Sequence, residues 1–443
     1  MNRTSWLSSI PTHWTVRRAA HVIDMDVGGT PSTSRSEYFD GDIPWLTIAD
    51  MTSESITRCE KYLSRAGVEA GRIPWSRKGD LLYSFKLSIG KIAFTKIDLV
   101  TNEAIASIHS SSRIDLRYAY WMLPLAYEAA ASRNIYGAPI LNQQQLRAAR
   151  IPMPPLSEQQ QIADYLDHET AEIDAFITDQ SRFIDLIEER TSVLIETIIT
   201  GKQPGTTLRK ESGSAWVGDI PNHWEMERIS WLFSNVGSGT TPASDDVDAF
   251  NGTIPWVTSS ELRETGVSIT KKLVSDEAVR KYSALRVHPA GSLMIAMYGA
   301  TIGRLGWLEV PATVNQAICV FSDYRKGPSR YPFFALLAAR RHLLTLASGG
   351  GQPNINQDKI RSLRIPIPPE HEQTDIVRSL DKSLRDATQL VREAKILIDL
   401  ARERRAALIT AAVTGQIDVT ARNKPAAEQI EDDIAQGLHR EHA

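Results

Sequence analysis

Eight basic side chains are placed where the chain could grip a polyanion: Arg77, Lys78, Lys86 and Lys91 early on, and Lys271, Lys272, Lys281 and Arg304 later. Guanidinium and ammonium groups hold phosphates, and Arg and Lys also reach base edges. Lys91 and Arg304 each follow a glycine in related stretches, GDLLYSFKLSIGKIA at 79–93 and GSLMIAMYGATIGRLG at 291–306. Their matched positions predict a shared role as a phosphate contact. Ordinary surface charge would also account for any one of the eight.

Covalent and metal chemistry has no comparable footing. The chain has no GxxxxGK[ST], no HExxH and no Cys/His ligand spacing. His13 and His223 each precede a tryptophan, which reads as local packing, and HEQ at 371–373 lacks a second ligand at helical spacing. No glycine cluster forms a GxGxxG between a strand and a helix. The expectation is no catalytic residue, no metal site and no cofactor bound by this chain.

The 443 residues are enough for two or more cored domains. With no apolar leader, no membrane-length apolar run and only Cys59 and Cys319, the chain reads as cytoplasmic, without a disulfide framework or contact with a membrane. The net charge of −3 hides a partition. Residues 1–150 carry 18 basic against 14 acidic side chains and residues 201–367 carry 19 against 14, whereas residues 151–200 carry 2 against 11. Two basic lobes with acidic connectors suit a protein that touches a polyanion with its lobes and something else with its connectors.

The positioning elements come from a duplication. GAPILNQQQLRAARIPMPPLSEQQQIADYLD at 137–167 returns as GQPNINQDKIRSLRIPIPPEHEQTDIVRSLD at 351–381. IPTHW (10–14) returns as IPNHW (220–224), GGTPS (28–32) within GSGTTPAS (237–244), DGDIPWLT (40–47) as NGTIPWVT (251–258), TNEAI (101–105) as VNQAI (314–318), and ITGK (199–202) as VTGQ (413–416). The period exceeds that of any short solenoid repeat, so each copy holds a domain and a connector.

Within each copy, GDLLYSF, KIAF, SLMIAMY and AICVF read as strands, and 117–131 and 330–347 as helices limited by Pro124 and Pro332. Ser157 resembles a helix N-cap. A long helix then shows an apolar seam: Ile162, Leu166, Ile173, Ile177, Ile184, Ile187, Leu194 and Ile198 in the first copy. The second copy has Ile376, Leu380, Leu384, Ala387, Val391, Ala394, Ile398 and Ala401. Such a helix needs a partner, and its own duplicate, antiparallel, would serve. Each helix packing on its own domain is the alternative. The fold class is therefore α/β: two duplicated mixed α/β domains, each followed by a long helix, the helices pairing as an antiparallel coiled coil. The boundaries expected are 1–154 and 202–368 for the domains, 155–201 and 369–416 for the helices, and 417–443 for a flexible tail.

The repeated motifs GGTPS/GSGTTPAS, DIPWLT/TIPWVT, NQQQL…IPMPPLSEQQQIADYLD and NQDKI…IPIPPEHEQTDIV, with ITGK and VTGQ, resemble the DNA-specificity subunits of Type I restriction–modification systems over about residues 8–417. The resemblance implies two target recognition domains joined by spacer helices. It implies a non-catalytic subunit that binds a bipartite, gapped, asymmetric site on double-stranded DNA, with the gap following helix length. Two modification (methyltransferase) subunits carrying S-adenosylmethionine would assemble on it. Two motor–nuclease restriction subunits, using ATP and Mg, would join where the system has them. A scaffold without sequence-specific DNA binding and a stand-alone DNA-modifying enzyme are the competing readings.

Overall fold

The computed structural model describes residues 5–8, 10–134, 137–203, 205, 208–347 and 354–419. The expected tail at 417–443 lies outside the described residues from 420 onward. Contacts divide the chain into two compact units, Met1–Gln180 with Ile396–Ala443, and Ser181–Lys395.

The first unit contains β1 (Thr15–Arg18), α1 (Ala19–Val22), β2 (Met25–Val27), β3 (Ile43–Leu46), β4 (Ser55–Ile56), β5 (Lys61–Leu63), α2 (Arg65–Gly71) and β6 (Trp75–Ser76). It continues with β7 (Leu81–Ser84), β8 (Ile92–Thr95), β9 (Leu99–Thr101), β10 (Ile105–Ile108), α3 (Leu116–Ala130), β11 (Ser132–Arg133), β12 (Pro139–Ile140), α4 (Gln143–Ala148), β13 (Arg150–Met153) and the start of α5 (Leu156–Ile199). A five-stranded sheet runs β2-β10-β7-β8-β4 and a four-stranded one β5-β3-β9-β6, while β1 pairs with β13. Every residue of β7 and β10 is buried, Ser84 and Ser107 included, so neither strand alternates between a buried and a solvent face.

Asp115 caps α3 by accepting from the backbone N–H groups of Arg117 and Tyr118. Pro124 lies inside this 15-residue helix instead of ending it. The helix face bearing Tyr118, Trp121, Met122, Leu123, Ala126 and Tyr127 is buried on both sides of the proline. That burial offsets the lost hydrogen bond, which costs about 3 kcal/mol in an exposed helix. Tyr118, fully buried, donates its hydroxyl to the Pro152 carbonyl at 3.0 Å.

The second unit contains the end of α5, then β14 (Arg209–Glu211), β15 (Asp219–Pro221), β16 (Glu225–Arg228), β17 (Phe233–Ser238), β18 (Ile254–Val257), β19 (Gly266–Val267), β20 (Lys272–Val274) and α6 (Asp276–Lys281). Next come β21 (Leu293–Ala296), β22 (Leu305–Leu308), β23 (Thr313–Val314), β24 (Ile318–Tyr324), α7 (Tyr331–Ala338), α8 (Arg340–Thr345), α9 (Gln357–Ser362), β25 (Arg364–Ile367) and α10 (Glu370–Val413). Its five-stranded sheet, β17-β24-β21-β22-β19, repeats the first, and β16 pairs with β25 as β1 does with β13. The Tyr331 hydroxyl reaches the Pro366 carbonyl at 2.8 Å, the counterpart of Tyr118. Pro332 sits in the first turn of α7, where its missing N–H costs nothing, and the helical stretch breaks at Ala339 instead.

The long helices α5 and α10 pack together, antiparallel within each unit. In the first unit, Ile162 and Leu166 of α5 share a core with Leu408, Ala412 and Val413 of α10. In the second, Ile195, Ile198 and Ile199 share a core with Leu380 and Tyr331. Full burial of each Leu, Ile or Val among them is worth about 1.5–3 kcal/mol.

α5 begins at Leu156, not after a Ser157 cap: the Pro155 carbonyl accepts from the N–H of Gln159 at 2.9 Å, which places Ser157 within the first turn. Gln159, 1% exposed, ties the start of α5 to the turn before α3. It donates to the Pro154 carbonyl at 3.0 Å and accepts from the Asp115 N–H at 2.9 Å.

Of the sixteen seam positions, Ile162, Leu166, Ile198, Leu380, Ala394 and Ile398 are buried. Ile173, Ile177, Ile184, Ile187, Ile376, Leu384, Ala387, Val391 and Ala401 are half-buried. Leu194 is 37% exposed, and its neighbour Ile195 takes the inward position at 3%.

Candidate nucleic-acid interface

In each unit the duplicated motifs converge on one cluster of loops. The β2–β3 loop opens on Gly28, where an added Cβ would run into the Thr101 carbonyl; Gly239 lies likewise against Val314. Gly29 N–H donates to the Thr101 carbonyl at 2.9 Å, and the Trp45 indole N–H donates to the Gly29 carbonyl at 3.2 Å. The Asn102 N–H reaches the Leu46 carbonyl at 3.0 Å, and the Phe85 N–H reaches the Ala104 carbonyl at 2.9 Å. In the second unit, Trp256 donates to the Thr240 carbonyl at 3.1 Å, Asn315 to that of Val257 at 2.9 Å, and Met297 to that of Ala317 at 2.8 Å. Motifs far apart in sequence are thus stitched together by backbone bonds and by the indole N–H groups of Trp45 and Trp256.

At the exposed rim of this cluster the two units differ. Thr30 donates its hydroxyl to the Glu103 carboxylate, and at the duplicate positions Thr241 donates to the Gln316 side-chain oxygen. The bond from Thr30, with Lys86 nearby, holds Glu103 below the ordinary carboxylate range. A carboxylate only accepts hydrogen bonds, whereas an amide also donates. Two capping boxes brace the adjoining turns, Thr47 with Asp50 and Thr258 with Glu261. Partial burial raises the Asp50 carboxyl, but the Thr47 hydroxyl and the N–H groups of Thr47 and Glu60 outweigh it and leave Asp50 low.

The four basic residues of the first unit do not share one strand end. Lys86 is exposed in the β7–β8 hairpin, its ammonium 5.6 Å from the Phe85 ring. Lys91 and Arg304 occupy equivalent places: their carbonyls accept from Ser84 and Ala296, each at 2.9 Å. Their heads differ. The Lys91 ammonium donates to the Ile48 carbonyl at 2.9 Å and ties the hairpin to the 3-10 turn Ile48–Asp50, whereas Arg304 is exposed. Arg77 and Lys78 lie before β7, at the strand end opposite this hairpin. Arg77 pairs with Asp98 at 2.9 Å, and the Lys78 N–H donates to the same carboxylate at 2.8 Å.

In the second unit, Lys271 is exposed, its N–H given to Glu261 at 2.8 Å. Lys272 lies 5.0 Å from the Phe250 ring, and Lys281 pairs with Asp246 at 2.7 Å.

The Thr30–Glu103 and Thr241–Gln316 pairs escaped the sequence reading, although TNEAI and VNQAI already displayed the Glu-to-Gln change. Leu87 escaped it too: this hairpin-tip residue is 95% exposed and has φ +60°. His13 and His223 stand edge-on to their tryptophans and reach Glu158 and Glu372 at 3.1 and 2.7 Å.

The helices carry a second missed feature. Phe176, Leu397 and Leu400 of the first unit are 41%, 44% and 55% exposed and line a groove of about 380 Å³. The duplication places Leu390, Phe183 and Leu186 of the second unit at the same positions, 43%, 43% and 56% exposed.

No cluster of three or more His, Cys, Asp or Glu side chains able to hold a metal occurs among the described residues. Cys59 and Cys319 are buried and unbridged, and burial pushes both thiols up to about 12. No helix among the described residues is long and apolar enough to cross a membrane.

Residues 11–180 and 221–399 match the family model for the Type I restriction modification DNA specificity domain. The chain is 23% identical to the Type I restriction enzyme MjaIX specificity subunit of Methanocaldococcus jannaschii, over 82% of this chain and 85% of that one. It is 28% identical to the EcoR124I/EcoR124II specificity subunit of Escherichia coli, over 46% and 51%. In fold it resembles a solved chain from work on complex assembly and conformational transition of the type I R-M system. The TM-score is 0.68 at 16% identity, covering 92% of this chain and 99% of that one.

Proposed function

Since the chain belongs to the DNA-specificity subunits of Type I restriction–modification systems, which recognise DNA and are not themselves catalytic, we propose that each unit reads one half of a gapped, asymmetric duplex site. The observation that carries this reading is the loop cluster built twice on one backbone plan with different rims. One unit shows Glu103, the hairpin FKLSIGK and an outward Leu87; the other shows Gln316, the hairpin YGATIGR and an outward Arg304. A common frame with altered donors and acceptors is what two different half-sites require.

The duplicated apolar trio on the helices supports a second part of the reading. Two equivalent faces suit two copies of one partner, the modification subunits, with S-adenosylmethionine and the methylated adenine held in their pockets. Motor–nuclease subunits, with ATP and Mg, join where the system includes them.

The test is selection from a random duplex library by this chain assembled with its cognate modification subunits. An enriched site of two short, unlike half-sites with a fixed unspecified gap is expected. Salt-sensitive binding with no enriched sequence would overturn the reading in favour of a scaffold. Methylation or cleavage by this chain alone would overturn it in favour of an enzyme.

A further inference from the structure

Each unit contains a short antiparallel ribbon outside its larger sheets, and each ribbon places two arginines directly opposite one another. Arg18 of β1 is in register with Arg150 of β13, and Arg228 of β16 with Arg364 of β25. All four side chains are exposed. Directly opposed residues leave the same face with Cβ atoms about 4.5–5.5 Å apart, and like charges so placed repel. Among the described residues, no carboxylate forms an ion pair with any of the four. The duplication has replaced everything else on the first strand, TVRR becoming EMER, yet the final arginine persists opposite the arginine of RIP. A repulsive pair retained in both copies, with no internal counterion, is a site for an external anion.

We propose that Arg18 with Arg150, and Arg228 with Arg364, each clamp one phosphate of the DNA backbone. Two guanidinium forks leaving one face can offer paired N–H donors to phosphate oxygens, a geometry for which arginine is better suited than lysine. In the second unit the Arg364 fork also donates to the Met226 carbonyl at 3.0 Å, across the ribbon. Arg228 lies 5.3 Å from the ring of Trp231, itself 67% exposed. Both contacts restrain the guanidinium groups while the two side chains stay exposed. An acidic protein surface is the other anion of suitable charge. The pairs lie in the lobes of net positive charge, whereas the helix stretch 151–200 is strongly acidic. A partner seated on that stretch would be repelled if it were acidic too.

The clamp deepens the DNA-recognition reading and rests on it. It adds affinity without sequence information, because phosphates are alike at every step.

The test uses the full chain assembled with its modification subunits, carrying R18A/R150A or R228A/R364A, with R18K/R150K and the exposed-surface variant R65A as controls. Affinity is measured over a salt series for the library-selected duplex and for a scrambled duplex of equal length. Each alanine pair is expected to lower the slope of log affinity against log salt by about one on both duplexes. The selected sequence should be unchanged, R18K/R150K should retain most of the slope, and R65A all of it. Melting temperature should hold or rise, since a repulsive pair has been removed. An unchanged slope, or a changed recognition sequence, would overturn the clamp. So would loss of the modification subunits from the assembly, which would assign the pairs to an acidic protein surface. If the wild-type assembly enriches no sequence, the half-site reading fails, while the slope on scrambled duplex still decides the clamp.

Discussion

The Glu158 carboxylate accepts the indole N–H of Trp14 at 3.0 Å, 144 residues away in sequence, and the duplicate pair, Glu372 with Trp224, closes at 2.9 Å. Each bond ties the start of a recognition domain to the first turn of the helix that follows it. Trp14 is 5% exposed, so its N–H has little recourse to water. Glu158→Ala is expected to cost about 1–3 kcal/mol, and Glu158→Gln, which keeps an acceptor oxygen, distinctly less. Denaturant titration of the two variants checks this, and equal losses would show that the carboxylate's charge rather than its bond matters.

Gly415 ends α10 with φ +69°, and a Cβ there would approach Pro11 Cγ to 2.5 Å and Trp14 Cη2 to 3.0 Å. Gly201 meets Pro221 and Trp224 in the same way at the end of α5. Gly415→Ala is expected to destabilise the first unit by about 1–3 kcal/mol, combining left-handed strain with displaced ring packing. Gly79→Ala, with φ +97° and nothing within 4 Å, carries the backbone strain alone and is the control. Amide exchange should quicken around residues 11–14 and 408–415 only in Gly415→Ala.

His109 bridges two carboxylates, its Nδ1 2.8 Å from Asp80 and its Nε2 3.3 Å from Asp26. Burial alone would push the imidazole down, but the bonds to Asp80 and then Asp26 outweigh it and hold it above 6.5. The folded value exceeds the unfolded one, so the stabilisation is complete below about 6.5 and is lost as pH rises through the raised value. Melting temperature across that window should fall more steeply in the wild type than in His109→Asn. Parallel curves would remove His109 from the account.

The exposed helix trio can be tested one face at a time. Phe183→Ser with Leu186→Ser should leave the fold intact, since both side chains are about half exposed, and should remove one of two modification subunits. Phe176→Ser with Leu397→Ser should remove the other. Light scattering of the assembled complex reads the stoichiometry, and two retained copies in both variants would defeat this assignment of the faces.

Much of this architecture was legible because duplication prints each constraint twice. The seam of α5 and α10 showed as apolar spacing, and the sheet motifs showed as matched IPW and NxAI runs. Leu194 was misplaced because spacing alone cannot separate it from Ile195, and only packing turns one inward. Pro124 looked like a breaker because its cost is local, whereas the burial that offsets it comes from strands distant in sequence.

The site divides along the same line. The amino-acid order alone determined that there are two similar lobes, that catalytic motifs are missing and that Lys91 and Arg304 follow matched glycines. Tertiary structure decided what each cation does. Lys91 is committed to the Ile48 carbonyl, while Arg304 at the equivalent place is exposed. It also decided that Arg18 faces Arg150 and Arg228 faces Arg364. Periodicity records which face a residue occupies, a local property of backbone geometry. Which charge stands opposite which is set by strand register between segments more than a hundred residues apart, and that exists only once the chain has folded.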